Sequence, residues 1–207
     1  RIRAYYEEDN GQRYYGKFKV WKADGTIVEY GFTDDSRIMP QDGRANVVAW
    51  FVNKISDRHG NAVLFVYDAN APTGEHYISQ ILYTSNDDLG IKPEFVVDFG
   101  YAATNMLDYD FRYVAGNILQ QKKYIEQIKI SRPDDSEALE RYTFEYRENV
   151  CPWWYDSVQM HHRLEKIRYQ KGGKSLNPTE IRWTSYKENN VLEHWDVADS
   201  AIYNNFP

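Results

Sequence analysis

The sequence predicts an all-β protein, an extended antiparallel meander of roughly 10–12 short strands. Three observations carry that reading. Apolar and polar residues alternate with a period of two over most of the first 180 positions. Turn clusters built on Gly, Asp and Asn recur between the alternating runs. Amphipathic helical stretches and the continuous apolar strands of a parallel α/β sheet are both missing.

Taken in order, Lys17-Phe18-Lys19-Val20-Trp21-Lys22 sets Phe18 and Val20 on one face and lysines on the other. Ala23-Asp24-Gly25-Thr26 then supplies a turn, with Gly where a positive φ is wanted, and Thr26–Gly31 returns as the second strand. A second hairpin is predicted from a strand over Val47–Ile55, the turn Ser56–Asn61 and a strand over Ala62–Asp68. His76–Thr84 follows, and the short polar side chains of Ser85-Asn86-Asp87-Asp88 are expected to stop its ladder. Beyond Pro93 come Glu94–Phe99 and Leu107–Val114 with the turn Ala115-Gly116-Asn117. Lys123–Ile130 fits either period, but its alternating polar partners and the following Arg132-Pro133 favour a strand over a short helix. Leu139–Tyr146, Arg163–Tyr169, the turn Lys171–Lys174 and Pro178–Trp183 complete the series. We place one β-rich domain over 1–186, with room for a subdivision near 88–93, and a connector over 187–207, where the alternation is lost. Charged residues opposite Tyr, Trp and Ile on many strands describe a sheet wet on one side, and the varied repetition of strand, turn and strand suggests a long spiralling or stacked sheet.

Composition narrows the function classes. In 207 residues, 31 Asp and Glu outnumber 25 Lys and Arg, for a net charge of −6. Attraction to nucleic acid or an anionic membrane needs a basic field, so neither is an expected partner. With 18 Tyr, 9 Phe and 6 Trp, the chain is too aromatic for a disordered acidic segment. No run approaches the apolar length of a membrane span. One Cys, Cys151, rules out an intrachain disulfide and a cysteine-based zinc site. The first residues, Arg1-Ile2-Arg3-Ala4-Tyr5-Tyr6, have no initiator Met and no apolar signal core, so the chain is expected to belong to something longer.

Candidate chemistry is sparse. There is no Gly-x-Ser-x-Gly elbow, and Cys151 precedes Pro152-Trp153-Trp154 with no motif marking a base. His161 and His162 are adjacent, so on a strand they face opposite ways and cannot chelate one ion; His59 lies in a turn, and His76 and His194 stand alone. Asp108 and Asp110 would share a strand face about 6–7 Å apart, a separation glycosidase carboxylates use, but the same alternation with Tyr and Phe describes a half-exposed strand. Asn86-Asp87-Asp88-Leu89-Gly90 and Asp134-Asp135 match no calcium loop and read as solvated turns. Gly172-Gly173 sits in a hairpin turn rather than at a helix start, so it is no phosphate loop. No cofactor or metal site is expected. Trp153-Trp154-Tyr155 carries two readings that stay open: a loop platform that stacks on sugar or anchors a protein partner, or rings that cap the core where two sheets meet.

These residues resemble a family. Trp21–Gly31 with its Asp24-Gly25-Thr26 turn, Trp50–Asn61 with Asp57 and Gly60-Asn61, Val66-Tyr67 and Ile78–Thr84 are similar, in that order, to the SpvB-type domain of toxin-complex B components and related Rhs/YD-repeat proteins. Tyr124–Ile128, Tyr142–Tyr146, Arg163–Ile167 and Leu176–Trp183 extend the resemblance over most of the chain. Phe51-Val52 departs from the family's usual Leu, and Cys151–His161 has no counterpart. The resemblance implies a secreted or surface-exported bacterial virulence protein whose β-rich region is part of a curved, hollow shell. In that family a β-propeller and an Rhs shell enclosing a toxic C-terminal part usually follow. Enzymatic activity there belongs to a separate C-terminal domain, so this chain is expected to be a non-enzymatic scaffold. Its expected partners are other domains of the same long chain and toxin-complex subunits. The matching residues suit structural tasks: Gly25, Gly31 and Gly60 allow turns, Asn61 tolerates the left-handed region, Asp57 and Tyr30 belong to the turn and core set, and Trp21, Trp50 and Tyr67 suit packing between sheets.

Overall fold

The structure is a computed structural model and describes residues 1–44, 46–70, 73–103, 110–135, 137–148 and 162–183. Its strands in chain order are β1 (Ile2–Asp9), β2 (Gln12–Trp21), β3 (Ile27–Tyr30), β4 (Arg37–Ile38), β5 (Ala49–Trp50), β6 (Val52–Ser56), β7 (Asn61–Asn70), β8 (Glu75–Asn86) and β9 (Phe95–Ala103). They continue as β10 (Asp110–Val114), β11 (Asn117–Gln121), β12 (Lys123–Ser131), β13 (Glu140–Glu148), β14 (His162–Lys171), β15 (Lys174–Ser175) and β16 (Thr179–Glu180). One 3-10 turn, Asp34–Ser36, precedes β4.

Most of these strands lie in one sheet ordered β1-β2-β3-β6-β7-β8-β9-β12-β13-β14-β15, open at both ends. The pairing along that path is antiparallel, and strands next in sequence are mostly next in space, so the all-β, curved antiparallel meander expected from the alternation is the fold. Two excursions interrupt the meander. β4 and β5 form a separate two-stranded sheet, and β10 and β11 form a hairpin joined to β8 by one parallel bridge, Gln120 to Glu75. The described strands exceed the expected count because several pieces are only two residues long.

Local chemistry explains the hairpins. Asn10 and Gly11 have φ of 48° and 76° and connect β1 to β2, the two positive values that a type I′ turn requires. In the next turn Asp24 accepts the Thr26 amide at 2.8 Å while Gly25 takes φ 90°. The turn between β6 and β7 closes on Asp57, whose carboxylate accepts the amides of His59 (2.8 Å) and Asn61 (3.0 Å).

Three expectations need correction. Val47–Ile55 is not one strand: β5 ends at Trp50 and β6 begins at Val52, because the Phe51 amide turns to the Ser36 carbonyl at 2.8 Å and its carbonyl accepts from Gly31. β8 does not stop before Ser85. It runs through Asn86, since Ser85 Oγ donates to the Ala62 carbonyl and Asn86 is held in the ladder opposite Asn61. Of the rings expected to pack between sheets, Trp50 of the small β4–β5 sheet does meet the large sheet, at Phe18, whereas Trp21 sits under the cations of Arg1 and Lys19.

Cover comes from the insertion between β3 and β6. It lies against the sheet through Trp50, whose ring meets Phe18 edge-on at 5.0 Å, and through Phe51, stacked on His76 at 3.8 Å. The buried apolar residues are Val28, Ile38, Val47, Ala62, Tyr77 and Val96. The buried polar ones are Ser36, Asn53, Ser85, Asn86 and Asn117, and each makes hydrogen bonds. Past Asn117, no described residue is buried.

Candidate functional site

The motif residues picked out in the sequence converge on two places in the β2–β3–β6–β7–β8 region. The first is the contact of the insertion with the sheet. Gly31 has φ 74°, and a Cβ there would lie 2.7 Å from the Trp50 ring and 3.0 Å from the Gly16 carbonyl. That close approach lets the Trp50 indole N–H donate to the same Gly16 carbonyl at 3.0 Å. Gly16 is the extra residue where the β1–β2 register shifts, so a bulge aims its carbonyl at the indole. Arg37 lies beside them and donates to Glu7 at 2.7 Å and to Asp34. Burial pushes the Glu7 carboxyl up, but hydrogen bonds from Lys17 and Arg37 outweigh it and hold the group below its usual range. Burial likewise lowers Arg37, and its bonds to Asp34 and Glu7 reverse the effect.

Tyr67 and His76 form the inner part of this contact. The Tyr67 hydroxyl donates to the Val52 carbonyl at 2.7 Å, and its amide donates to Asp35 Oδ2 at 2.8 Å. Burial, helped by the Asp35 charge, pushes the Tyr67 phenol up to about 12. His76 stacks on Phe51 and on Tyr67, with Nε2 2.8 Å from the Asp35 carbonyl oxygen. Burial lowers its pKa, against the upward pull of that bond and of Asp35 and Asp68. A cavity of roughly 440 Å³ opens here, lined by Asp34, Asp35, Arg37, Tyr67, Asp68 and Glu75 among others. A smaller one of about 180 Å³ is lined by His76, Phe51, Asp110 and Arg112 among others.

The second place is the turn end of the sheet. Gly60 has φ 80°, while Asn61 is the first residue of β7. Asn61 thus does not use the left-handed conformation it could tolerate. Gly60 takes it, and the Asn61 amide side chain donates instead to Asp57 Oδ2 at 2.8 Å and accepts from Asn86 at 2.9 Å. Asn86 also donates to the His59 carbonyl and accepts the Leu89 amide, so Asn86-Asp87-Asp88-Leu89-Gly90 is a self-bonded turn. Asp87 is paired with Lys54. The Arg58 guanidinium lies over Gly25, where a Cβ would come within 2.6 Å of it, and this brings the two hairpin turns side by side. Tyr30 pairs with Phe18 across β2 and with Val52 across β6, and Trp21 sits under the cations of Arg1 (5.3 Å) and Lys19 (5.7 Å).

Trp153, Trp154 and Tyr155 lie outside the described residues, as do Cys151, His161, His194, Asp108 and the 187–207 segment. Asp110 begins β10 and pairs with Arg112 at 3.2 Å. His162, on β14, packs against the Tyr124 ring at 4.7 Å. Among the described residues, no three His, Cys, Asp or Glu side chains gather as a metal ion would need, and no helix is long and apolar enough to cross a membrane. The reading from sequence missed Glu7, Gly16, Arg37 and the role of His76. Their signal was weak because each acts on partners far away in the chain, His76 on Asp35 41 residues back. What the assembled groups do chemically is hold the insertion to the sheet. His76, Asp35, Arg37 and Glu7 are all engaged with protein groups.

Residues 1–164 match the family model described as SpvB, Salmonella virulence plasmid 65kDa B protein. No curated protein matches the chain. Among solved structures, the fold is similar to that of TcdB2-TccC3-TEV, with a TM-score of 0.62 at 14% identity over 82% of this chain and 10% of the other. The structure of TcdB2-TccC3 gives 0.64 at 14% identity over 90% of this chain and 11% of the other. The N-terminal domain of effector protein SpvB from Salmonella typhimurium strain LT2 gives 0.60 at 16% identity over 82% and 64%. The chain thus spans about a tenth of the TcdB2-TccC3 chains and under two thirds of the SpvB N-terminal domain.

Proposed function

The chain belongs to the SpvB family, and on that premise we propose that it is a non-enzymatic structural segment of a large secreted toxin-complex or Rhs-like protein. In this reading it forms part of a β-shell that encloses or supports a toxic C-terminal part. Its partners are neighbouring domains of the same long chain, a propeller and an Rhs shell among them, and the protein acts outside the cell or at its surface.

One observation carries the reading: an open sheet in which the motif residues Trp50 and Tyr67, and the charged residues Glu7, Asp35 and Arg37 and His76 beside them, bond to other groups of the same chain. A wall needs such internal ties, because a sheet with two open ends keeps its curvature only if bulges, turns and covering segments hold it. The Trp50–Gly16 bond, the Arg37–Glu7 pair and the Asp35–Tyr67 bond are ties of this kind. The likeness in fold to chains of toxin-complex proteins supports the same reading.

The test is made in the full-length protein that carries this segment. Gly31→Val drives a side chain into Trp50 and should loosen the wall. We expect the C-terminal part to become accessible to added protease in the variant while staying protected in the parent. Unchanged protection in a variant shown by its melting curve to be loosened would overturn the scaffold reading. So would turnover of a glycoside by the purified chain that is lost in Asp110→Asn with no loss of folding.

A further inference from the structure

β9, β12, β13 and β14 carry two unlike faces. Read straight across the ladder, Phe99, Ile128, Tyr142 and Tyr169 stand opposite one another in one row. The adjoining row, Asp98, Lys129, Arg141 and Gln170, is charged or polar throughout and belongs to the other face. Phe144 with Ile167 and Tyr146 with Leu164 continue the apolar side, while Thr143 with Arg168 and Arg147 with Arg163 continue the polar one. Rings bind the apolar side along its length, Tyr142 to Tyr169 at 4.8 Å and Tyr124 to Tyr146 at 4.6 Å. Among the described residues none of these side chains is buried, and the elements packed on the four strands are their sheet neighbours. A sheet that is polar on one side turns its apolar side to a second layer.

The molecule shows elsewhere how such a face is closed. A segment inserted between the neighbouring strands β3 and β6 lays the adjacent rings Trp50 and Phe51 on the sheet, against Phe18 and His76. β13 and β14 are likewise neighbours, paired as far as Glu148 and His162, and the thirteen residues 149–161 join them. That segment departs and returns at one end of the apolar face, beside the Tyr146–Leu164 pair. It carries Val150, Trp153, Trp154, Tyr155, Val158 and Met160, unlike the polar hairpin turn Lys171-Gly172-Gly173-Lys174 at the other end of β14. We propose that residues 149–161 are the cover of this face, with Trp153 and Trp154 seated on Phe144 and Ile167. The reach suffices. Five extended residues, from Asn149 to Trp153, span about 17 Å, against about 13 Å back along β13 from Glu148 to Phe144. The other face offers the rings no apolar seat, since Arg141, Thr143 and Arg168 occupy it. Each indole then removes apolar surface from water on both partners, its own and that of the stripe beneath. Trp153, Trp154 and Tyr155 thereby belong to the core rather than to a platform for sugar.

Mild oxidation of the intact chain reads the covered face through the native Cys151. Leu164→Cys, on the apolar side, should cross-link to Cys151 within one chain, and Arg163→Cys, on the polar side, should not. This measurement leaves the rings in place, so it stands even where a ring variant fails to fold. Hydrogen exchange reads the packing: Trp153→Ser with Trp154→Ser should speed exchange of the β12–β14 amides at least tenfold and leave β6 and β7 unchanged. Trp153→Phe with Trp154→Phe should bring the rates back toward the parent. Cross-linking equal at 164 and 163, or β12–β14 exchange unaltered in the Ser variant, would overturn the proposal. So would a glycan-array signal or a self-association that the parent shows and the Ser variant loses, because the rings would then face solvent or a second copy.

Discussion

β1–β8 and β12–β14 are made of similar alternating strands, yet they are held together in different ways. In the first region the insertion between β3 and β6 lies against the sheet, and most of the buried side chains are found there, including Val28, Ile38, Val47, Ala62 and Tyr77. The polar groups buried with them have specific partners, such as Phe32 N–H to Asn53 and Gln41 N–H to Asn117. In the second region no described residue is buried. There the strands are tied across the surface, by Arg168 with Glu145, Lys171 with Glu140 at 2.7 Å, and the ring pairs Tyr142–Tyr169 and Tyr124–Tyr146. A sheet face becomes a core only where a second layer covers it, so among the described residues the same pattern yields specific packing in one place and an open surface in the other.

That contrast predicts a graded response to substitution. The largest effect belongs to Gly74, between β7 and β8, where φ is 68° and a Cβ would sit 1.9 Å from the Ile118 carbonyl oxygen. The obstruction is backbone, so it cannot be relieved by a side-chain rotation. Gly74→Ala should cost about 3 kcal/mol or more and lower the melting temperature by roughly 6–12 °C. A smaller effect is expected from pH. His76 is held below its usual 6.5, so the unfolded chain takes up a proton that the folded chain refuses as pH falls through 6.5. Its share of stability is complete above pH 6.5 and declines below it until the folded imidazole also protonates. Melting curves recorded from pH 7 to 5 should show this decline, and His76→Phe should flatten it; Asp35, Asp68, Asp110 and Arg112 are the charged groups around the site to watch. The share from Glu7 enters only lower, as pH falls below about 4.5, because its folded pKa is depressed. The smallest effect lies in the second region. Arg168→Ala breaks an exposed pair and should leave the melting temperature within about 1 °C of the parent. If Arg168→Ala unfolds the chain while Gly74→Ala is silent, the contrast between the regions is wrong.

Much of the strand order was legible because a period of two and the Asp24-Gly25, Gly60-Asn61 and Gly172-Gly173 turns are local signals. The Asn10-Gly11 turn carries a signal of the same kind, hidden from a reading whose strands begin at Lys17. The insertion was not legible. Arg37, Ile38, Ala49 and Trp50 are too short a run to show a period, and their partners are distant: Asp35 binds Tyr67 32 residues away, and Gln41 binds Asn117 76 residues away. At the candidate site, Trp50, Gly31 and Tyr67 stood out as aromatic and turn residues, but their joint use with Arg37, Glu7 and His76 could not be read from spacing.

The sequence by itself determined that this chain is a β meander, where its hairpins turn, and which family it belongs to, because alternation, turn residues and motif order are properties of neighbouring positions. Only the tertiary structure decided that the described sheet is covered in one region and not in another, and that a lone histidine is a stacked and hydrogen-bonded pin. Those outcomes depend on which segments meet after the chain has folded back on itself, and a contact between residues 30 to 76 positions apart leaves no periodic trace along the chain.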